Sequence, residues 1–196
     1  MAVPSPTPSP SKSDLRAEGL RRRRAYAESL DDATRAALEQ ALAQIVLPHL
    51  LGARVIAAYH PLKDEISPAP ILAGLGAGQR YGLPWFEHRD AIFLWREGPA
   101  TEPSPWGVAQ PPAEAEALLP DIVLVPIVLA DRSGVRIGHG KGHYDRALAN
   151  LRGGGRPVMT IGLCWPDQLV DGPLPVDPWD MRLDAVATPG EWVACA

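Results

Sequence analysis

The sequence has little cysteine: two residues, Cys164 and Cys195, with no C-x-x-C spacing. That scarcity excludes a disulfide framework and a zinc knuckle, and it fits a reducing cytosol. There is no excess of positive charge either. Nineteen Lys and Arg stand against twenty-three Asp and Glu, a formal net charge of -4, which argues against a surface made to coat nucleic acid. No segment approaches the roughly 20 apolar residues of a membrane-spanning helix. The start, "MAVPSPTPSPSK", has neither the apolar core of a secretory signal nor the Arg-rich pattern of a transit peptide. It reads as a disordered tail over residues 1–12, leaving 13–196 as one domain of a soluble, cytoplasmic protein with no nucleic-acid or membrane partner. No internal repeat is present.

What is there alternates between helix and strand. Residues 13–29 favour a helix, and a second runs from about Asp32 to Pro48, with Leu38, Leu42, Ile45 and Val46 at helical spacing. "ARVIAAYHP" reads as a buried strand, "SPAPILAGL" opens a helix, and "RYGLPWF" and "AIFLWRE" are two more strands. Residues 98–120 hold many of the 22 prolines and read as a long loop. "DIVLVPIVLAD" is the strongest strand, an apolar run suited to the centre of a sheet covered on both faces; "YDRALANL" is a short helix, and "PVMTIGLCW" and "LDAVATP" complete the strands. The pattern predicts a three-layer α/β/α sandwich with a mostly parallel central sheet, preceded by an N-terminal helical pair. Ligands then gather at the carboxyl ends of the strands.

The chemistry concentrates in "RIGHGKGHYD", Arg136 to Asp145. Gly138, Gly140 and Gly142 can take positive φ and turn successive N–H groups towards one centre, Lys141 adds a mobile charge, and a helix starting near Tyr144 adds its N-terminal dipole. These features suit a polyphosphate, and Asp145 suits the Mg²⁺ that accompanies one. The competing reading is a flexible connection whose glycines avoid clashes. His139 and His143 are four apart, but glycines interleave them and no third ligand is near, so contact with substrate or phosphate is preferred to zinc. Lys12 and Arg16 share a helical face and can reach one anion; the run Arg21 to Arg24 wraps the helix and reads as a solvated surface. Taken locally, Glu65 is an acid at a helix start, Trp106 either an exposed stacking ring or an anchor for its loop, and Asp180 and Asp184 turn acids.

As a set these residues resemble the 5-formyltetrahydrofolate cyclo-ligase family. The resemblance rests on "DIVLVPIVLADRSGVRIGHGKGHYDRAL", on Lys12-x-x-x-Arg16, on the strand followed by Glu65, on "SPWGVAQP", and on the ending "GLCWPDQLVDGPLPVDPWDMRLDAVAT". It implies an ATP- and Mg²⁺-dependent conversion of 5-formyltetrahydrofolate to 5,10-methenyltetrahydrofolate by a monomer. Lys12, Arg16, Arg136 and the segment from Gly138 through His139, Gly140, Lys141, Gly142 and His143 to Tyr144 would bind ATP. The stretch from His139 to His143 would also meet the folate. Lys141 and Arg136 would be catalytic, Asp145 and Asp184 would hold metal, Glu65 would bind the pterin, and Phe86 and Trp106 would face the substrate. His143 departs from the Tyr or Phe frequent in the family. A second implied reading is a non-catalytic paralogue that binds folate or nucleotide.

Overall fold

The computed structural model describes residues 10–195; the tail expected over residues 1–12 falls largely outside them, and by Lys12 the chain is already helical. Helix α1 (Lys12–Glu28) starts there because Ser11 and Asp14 form a capping box, the Ser11 hydroxyl accepting from Asp14 N–H at 3.2 Å and the Asp14 carboxylate from Ser11 N–H at 3.1 Å. Asp31 caps α2 (Asp32–Val46) through Thr34 N–H at 2.7 Å, and Pro48 turns its end into a 3₁₀ turn, Leu47–Leu50. Next come β1 (Val55–Ala57), α3 (Ala69–Ala73), β2 (Arg80–Trp85) and β3 (Leu94–Glu97). The proline-rich stretch holds three two-residue strands, β4 (Glu102–Pro103), β5 (Ala109–Gln110) and β6 (Ala117–Leu118). Then follow β7 (Ile122–Pro126), β8 (Leu129–Asp131), β9 (Arg136–Ile137), α4 (His143–Gly153), β10 (Met159–Leu163), β11 (Leu169–Val170), β12 (Ala185–Ala187) and β13 (Trp192–Ala194).

The main sheet has eight strands in the order β13-β12-β10-β7-β1-β2-β3-β6. Its five central strands are parallel, with Ile56 opposite Ile122 and Leu124 opposite Ile161, and antiparallel strands close both edges. This is the expected mostly parallel α/β sheet. Alternation along β7 shows why it is covered twice. Ile122 and Leu124 enter a core with Leu42, Val46 and Ile71 from α2 and α3; Val123 and Val125 enter a second with Ala147 and Leu148 from α4. The parallel strands follow the doubly wound order 2-1-3-4-5, so the direction in which strands are added reverses between β1 and β7, and a crevice opens beyond their carboxyl ends.

Two sequence expectations need adjustment. "DIVLVPIVLAD" is two strands. Past Pro126 the chain leaves the main sheet, the Gln168 amide donates to the carbonyls of Ile127 at 2.6 Å and Val128 at 3.1 Å, and β8 joins a small sheet ordered β11-β8-β9. The N-terminal helices also diverge, α1 resting on that small sheet and α2 on α3 and β12.

Leu124 is fully buried at the centre of the sheet. Leu124→Ala should lower the unfolding free energy by about 2–5 kcal/mol without changing the denaturant slope, as read by chemical denaturation; a loss below about 1 kcal/mol would contradict this packing.

Candidate active site

The crevice beyond β1 and β7 is a cleft of about 850 Å³ whose lining includes fourteen of the fifteen site residues expected from sequence. Asp184 is the exception. Its carboxylate accepts from Thr160 N–H and Oγ1, each at 2.7 Å, and from Arg152 at 2.9 Å, which fixes it beside the first residues of β10, at the opposite end of the sheet. The metal role expected for Asp184 is therefore corrected: it tethers a strand start. Asp177 and Asp180 are the acids of that segment that line the cleft, and both hold the Lys12 ammonium, Asp177 at 2.7 Å. Burial alone would lower the Lys12 pKa, but these two hydrogen bonds outweigh it and leave it raised.

One end of the cleft is built for anions. Gly140 and Gly142 take the positive φ expected of them, +83° and +64°, whereas Gly138 does not. Arg16 Nε donates to the Gly138 carbonyl at 2.8 Å and its guanidinium lies where a Cβ on residue 140 would sit, 3.0 Å from Cζ. Gly142 is the N-cap of α4 and offers no side chain, so the first-turn N–H groups of α4 open on the cleft beside Lys141. Beneath the loop, buried Arg136 donates to Asp145 Oδ1 at 2.7 Å and to the Met181 carbonyl, and Met181 N–H reaches the same Oδ1 at 3.2 Å. Asp145 Oδ2 has no protein partner among the described residues, where no three His, Cys, Asp or Glu side chains gather into a metal site. One free carboxylate oxygen beside a phosphate-type loop fits Mg²⁺, which takes few protein ligands and completes its shell with phosphate oxygens and water.

The other end is aromatic. His143 packs edge-on against Phe86 at 5.2 Å and Trp106 at 5.1 Å, Phe93 lies 5.1 Å from Phe86 and 5.2 Å from Tyr144, and Lys141 Nζ stands 5.7 Å from the Trp106 ring centre. Partial burial, then the charges of Arg146 and Lys141, lower the His143 pKa, so at neutral pH its imidazole is an uncharged ring in an aromatic wall. Gln110 fastens the proline-rich loop to the end of β2, accepting from Phe86 N–H at 2.9 Å. Two polar atoms in this half are buried without a partner, the Tyr144 hydroxyl and the Trp106 indole N–H. Buried donors are ordinarily paired, so each of these two carries an uncompensated desolvation cost. Burial, then the facing Glu65 carboxylate, raises the Tyr144 pKa and keeps its proton available to donate.

Between the halves stands Glu65, 5% exposed, accepting from Arg23 Nη1 at 2.9 Å and Leu62 N–H at 2.9 Å. Arg23 belongs to the run read as a solvated surface and is instead 2% exposed, while Arg21 and Arg22 pair with Glu18 and Arg24 faces solvent. The available signal was helical spacing: Lys12, Arg16, Gly19, Arg23 and Ala27 fall on one face of α1, and the last three are its buried residues. Arg35 of α2, also missed, braces the same turn by donating to the Glu65 carbonyl at 2.7 Å.

Fold and site together define a doubly wound α/β protein with an anion-receiving loop and an aromatic wall facing each other at the switch point. The model of the 5-formyltetrahydrofolate cyclo-ligase family matches residues 8–189. A 5-formyltetrahydrofolate cyclo-ligase of Mycolicibacterium smegmatis is 30% identical, covering 91% of this chain and 94% of its own, and that of Escherichia coli K12 is 30% identical over 79% and 90%. Among solved structures, the 5,10-methenyltetrahydrofolate synthetase of Aquifex aeolicus superposes with a TM-score of 0.71 at 26% identity, covering 93% of this chain and 92% of that one. The chain belongs to the 5-formyltetrahydrofolate cyclo-ligase family, the one its motifs resemble.

An unpaired buried hydroxyl costs about 1–3 kcal/mol. Tyr144→Phe should therefore leave the thermal unfolding midpoint unchanged or raise it; a clear fall would mean that the hydroxyl has a protein partner.

Proposed function

We propose that the protein converts 5-formyltetrahydrofolate to 5,10-methenyltetrahydrofolate, with ATP cleaved to ADP and phosphate, acting as a single chain in the cytoplasm. The observation that carries the reading is the junction at Lys141, where a cation of the loop stands over the Trp106 ring and joins the anion-receiving end to the aromatic end. A transferable phosphoryl group and a flat heterocycle placed in the two halves would meet there.

The formamide oxygen is a poor leaving group. In the proposed reaction it attacks the γ-phosphorus of ATP and ADP departs; the N10 nitrogen of the folate then bonds to the activated formyl carbon, that carbon's bond to the phosphorylated oxygen breaks, and phosphate leaves as N10 gives up its proton. No covalent bond to the protein is required, so the chain positions reactants and neutralises charge. Arg16, Lys12 and the first turn of α4 bind the phosphates, and Lys141 meets the negative charge that grows on the transferring group. Arg136 orients Asp145. Held by Asp145 and phosphate oxygens, Mg²⁺ would neutralise and align the phosphates. Glu65 accepts from the donor-rich edge of the pterin, Tyr144 and Trp106 donate to folate acceptors, and Phe86, Trp106 and His143 pack on its rings. Neutral His143 thus fills the place of the family's Tyr or Phe as an aromatic surface.

Near-ultraviolet absorbance should show the methenyl chromophore growing only when protein, 5-formyltetrahydrofolate, ATP and Mg²⁺ are all present. Folate binding with no chromophore would instead favour the non-catalytic reading. Lys141→Ala should lower kcat by about 10²–10³-fold, the scale of losing one preorganised charge contact in the transition state, with stability unchanged; a parental rate would remove Lys141 from the mechanism.

A further inference from the structure

Arg23 is a fully buried guanidinium that no part of the reaction just described uses. It donates from Nε and Nη2 to the two oxygens of Asp64, each at 3.1 Å, from Nη1 to Glu65 Oε1 at 2.9 Å, and its Nη2 lies 3.3 Å from His139 Nε2. A guanidinium has donors and no acceptor, so in the last contact the histidine nitrogen must accept. His139 Nε2 therefore carries a lone pair, and the ring proton resides on Nδ1. One side chain on α1 thus touches both a residue of the anion-receiving loop and the carboxylate between the two halves.

We propose that Arg23 is a positioning residue for both halves of the cleft, its planar fork anchored on Asp64 so that Nη1 fixes the rotamer of Glu65 while an Nη2 N–H sets the tautomer of His139. The Glu65 part rests on the folate reading above; the His139 part does not. With Leu62 N–H on one Glu65 oxygen and Arg23 on the other, the carboxylate plane has one orientation, and its remaining lone pairs are directed by the protein before any ligand arrives. A lysine would bring the charge without the fork.

Electrostatics agrees with the geometry. Partial burial of the ring, then the Arg23 charge, lowers the His139 pKa; Glu65 and Asp64 oppose that and Arg16 adds to it. The remaining groups facing this cluster are the Tyr59 and Tyr144 phenols, both raised by burial and thus uncharged around neutrality. Removing Arg23 would leave His139 facing two carboxylates with one cation fewer. Its protonation midpoint then moves up.

The experiment is ¹⁵N NMR of the histidine rings, with 5-formyltetrahydrofolate affinity read by calorimetry without ATP. In the parent protein at neutral pH, His139 should be the neutral Nδ1–H tautomer; an Nε2–H tautomer or an imidazolium overturns the assignment without any variant. In Arg23→Met the His139 midpoint should rise and folate affinity should fall by on the order of tenfold, the scale of one charged hydrogen bond. Arg23→Lys, the milder change if Arg23→Met does not fold, should keep the midpoint low and recover only part of the affinity. A purely structural Arg23 would lower the unfolding temperature and leave the midpoint and affinity at parental values, which refutes the proposal. A parent that binds no folate refutes the functional reading instead, and the histidine result still judges Arg23.

Discussion

The site depends on how α1 is attached to the rest of the molecule. The inward face of this helix carries Lys12, Arg16, Gly19, Arg23 and Ala27, and beside them Leu15 and Tyr26 pack on the hydrophobic cores, so charge and apolar contact hold it together. Gly19 permits close approach: a Cβ there would lie 2.6 Å from Leu129 Cγ and 2.8 Å from Val128 Cγ1. The three cations then bind three separate pieces of backbone. Lys12 holds the segment with Asp177 and Asp180, Arg16 holds Gly138 of the anion-receiving loop, and Arg23 holds the turn with Asp64 and Glu65. The helix that carries Lys12 and Arg16 into the cleft is thereby also the part that sets the positions of the loop and of the Glu65 carboxylate.

Burying charge is costly unless it is matched, and the cleft matches its most buried cations. Arg23 has Asp64 and Glu65, Arg136 has Asp145, and Lys12 has Asp177 and Asp180. Arg16, Lys141 and Arg146 are left without a carboxylate partner among the described residues, and all three line the cleft. The pairing also explains how a chain with a formal net charge of -4 keeps a locally positive cleft: the field is local, set by three uncompensated cations and the uncapped start of α4.

Much of this was legible in the sequence because it depends on local pattern. The apolar run of β7, the capping residues of α2 and the glycine–cation loop carry their signals within a few residues, and the order of motifs pointed to the family. What was not legible depended on which way a side chain turns. Arg23 was hidden in a run of four arginines whose composition suggests solvent, although its spacing from Lys12 and Arg16 puts it on their face. Asp184 and Asp180 sit four apart in one segment; Thr160 and Arg152 draw Asp184 to the far end of the sheet, while Lys12 draws Asp180 into the cleft. The short strands β4 to β6 rest on backbone pairing, β4 with β5 across a short loop and β6 with β3, which leaves almost no trace in composition. The packing of Tyr144, expected at the nucleotide from its place in the motif, was not legible either: its ring rests on Phe93 and its hydroxyl faces the Glu65 charge.

The most direct test of the account is to follow the formyl oxygen. With ¹⁸O in the formyl group of 5-formyltetrahydrofolate, one turnover through a phosphorylated formyl oxygen must carry the label into the released phosphate, where ³¹P NMR resolves it. Labelled phosphate in proportion to methenyl product is the predicted result. Unlabelled phosphate, with the label found in water, would contradict phosphoryl transfer to the formyl oxygen and with it the role assigned to the junction between the loop and the aromatic wall.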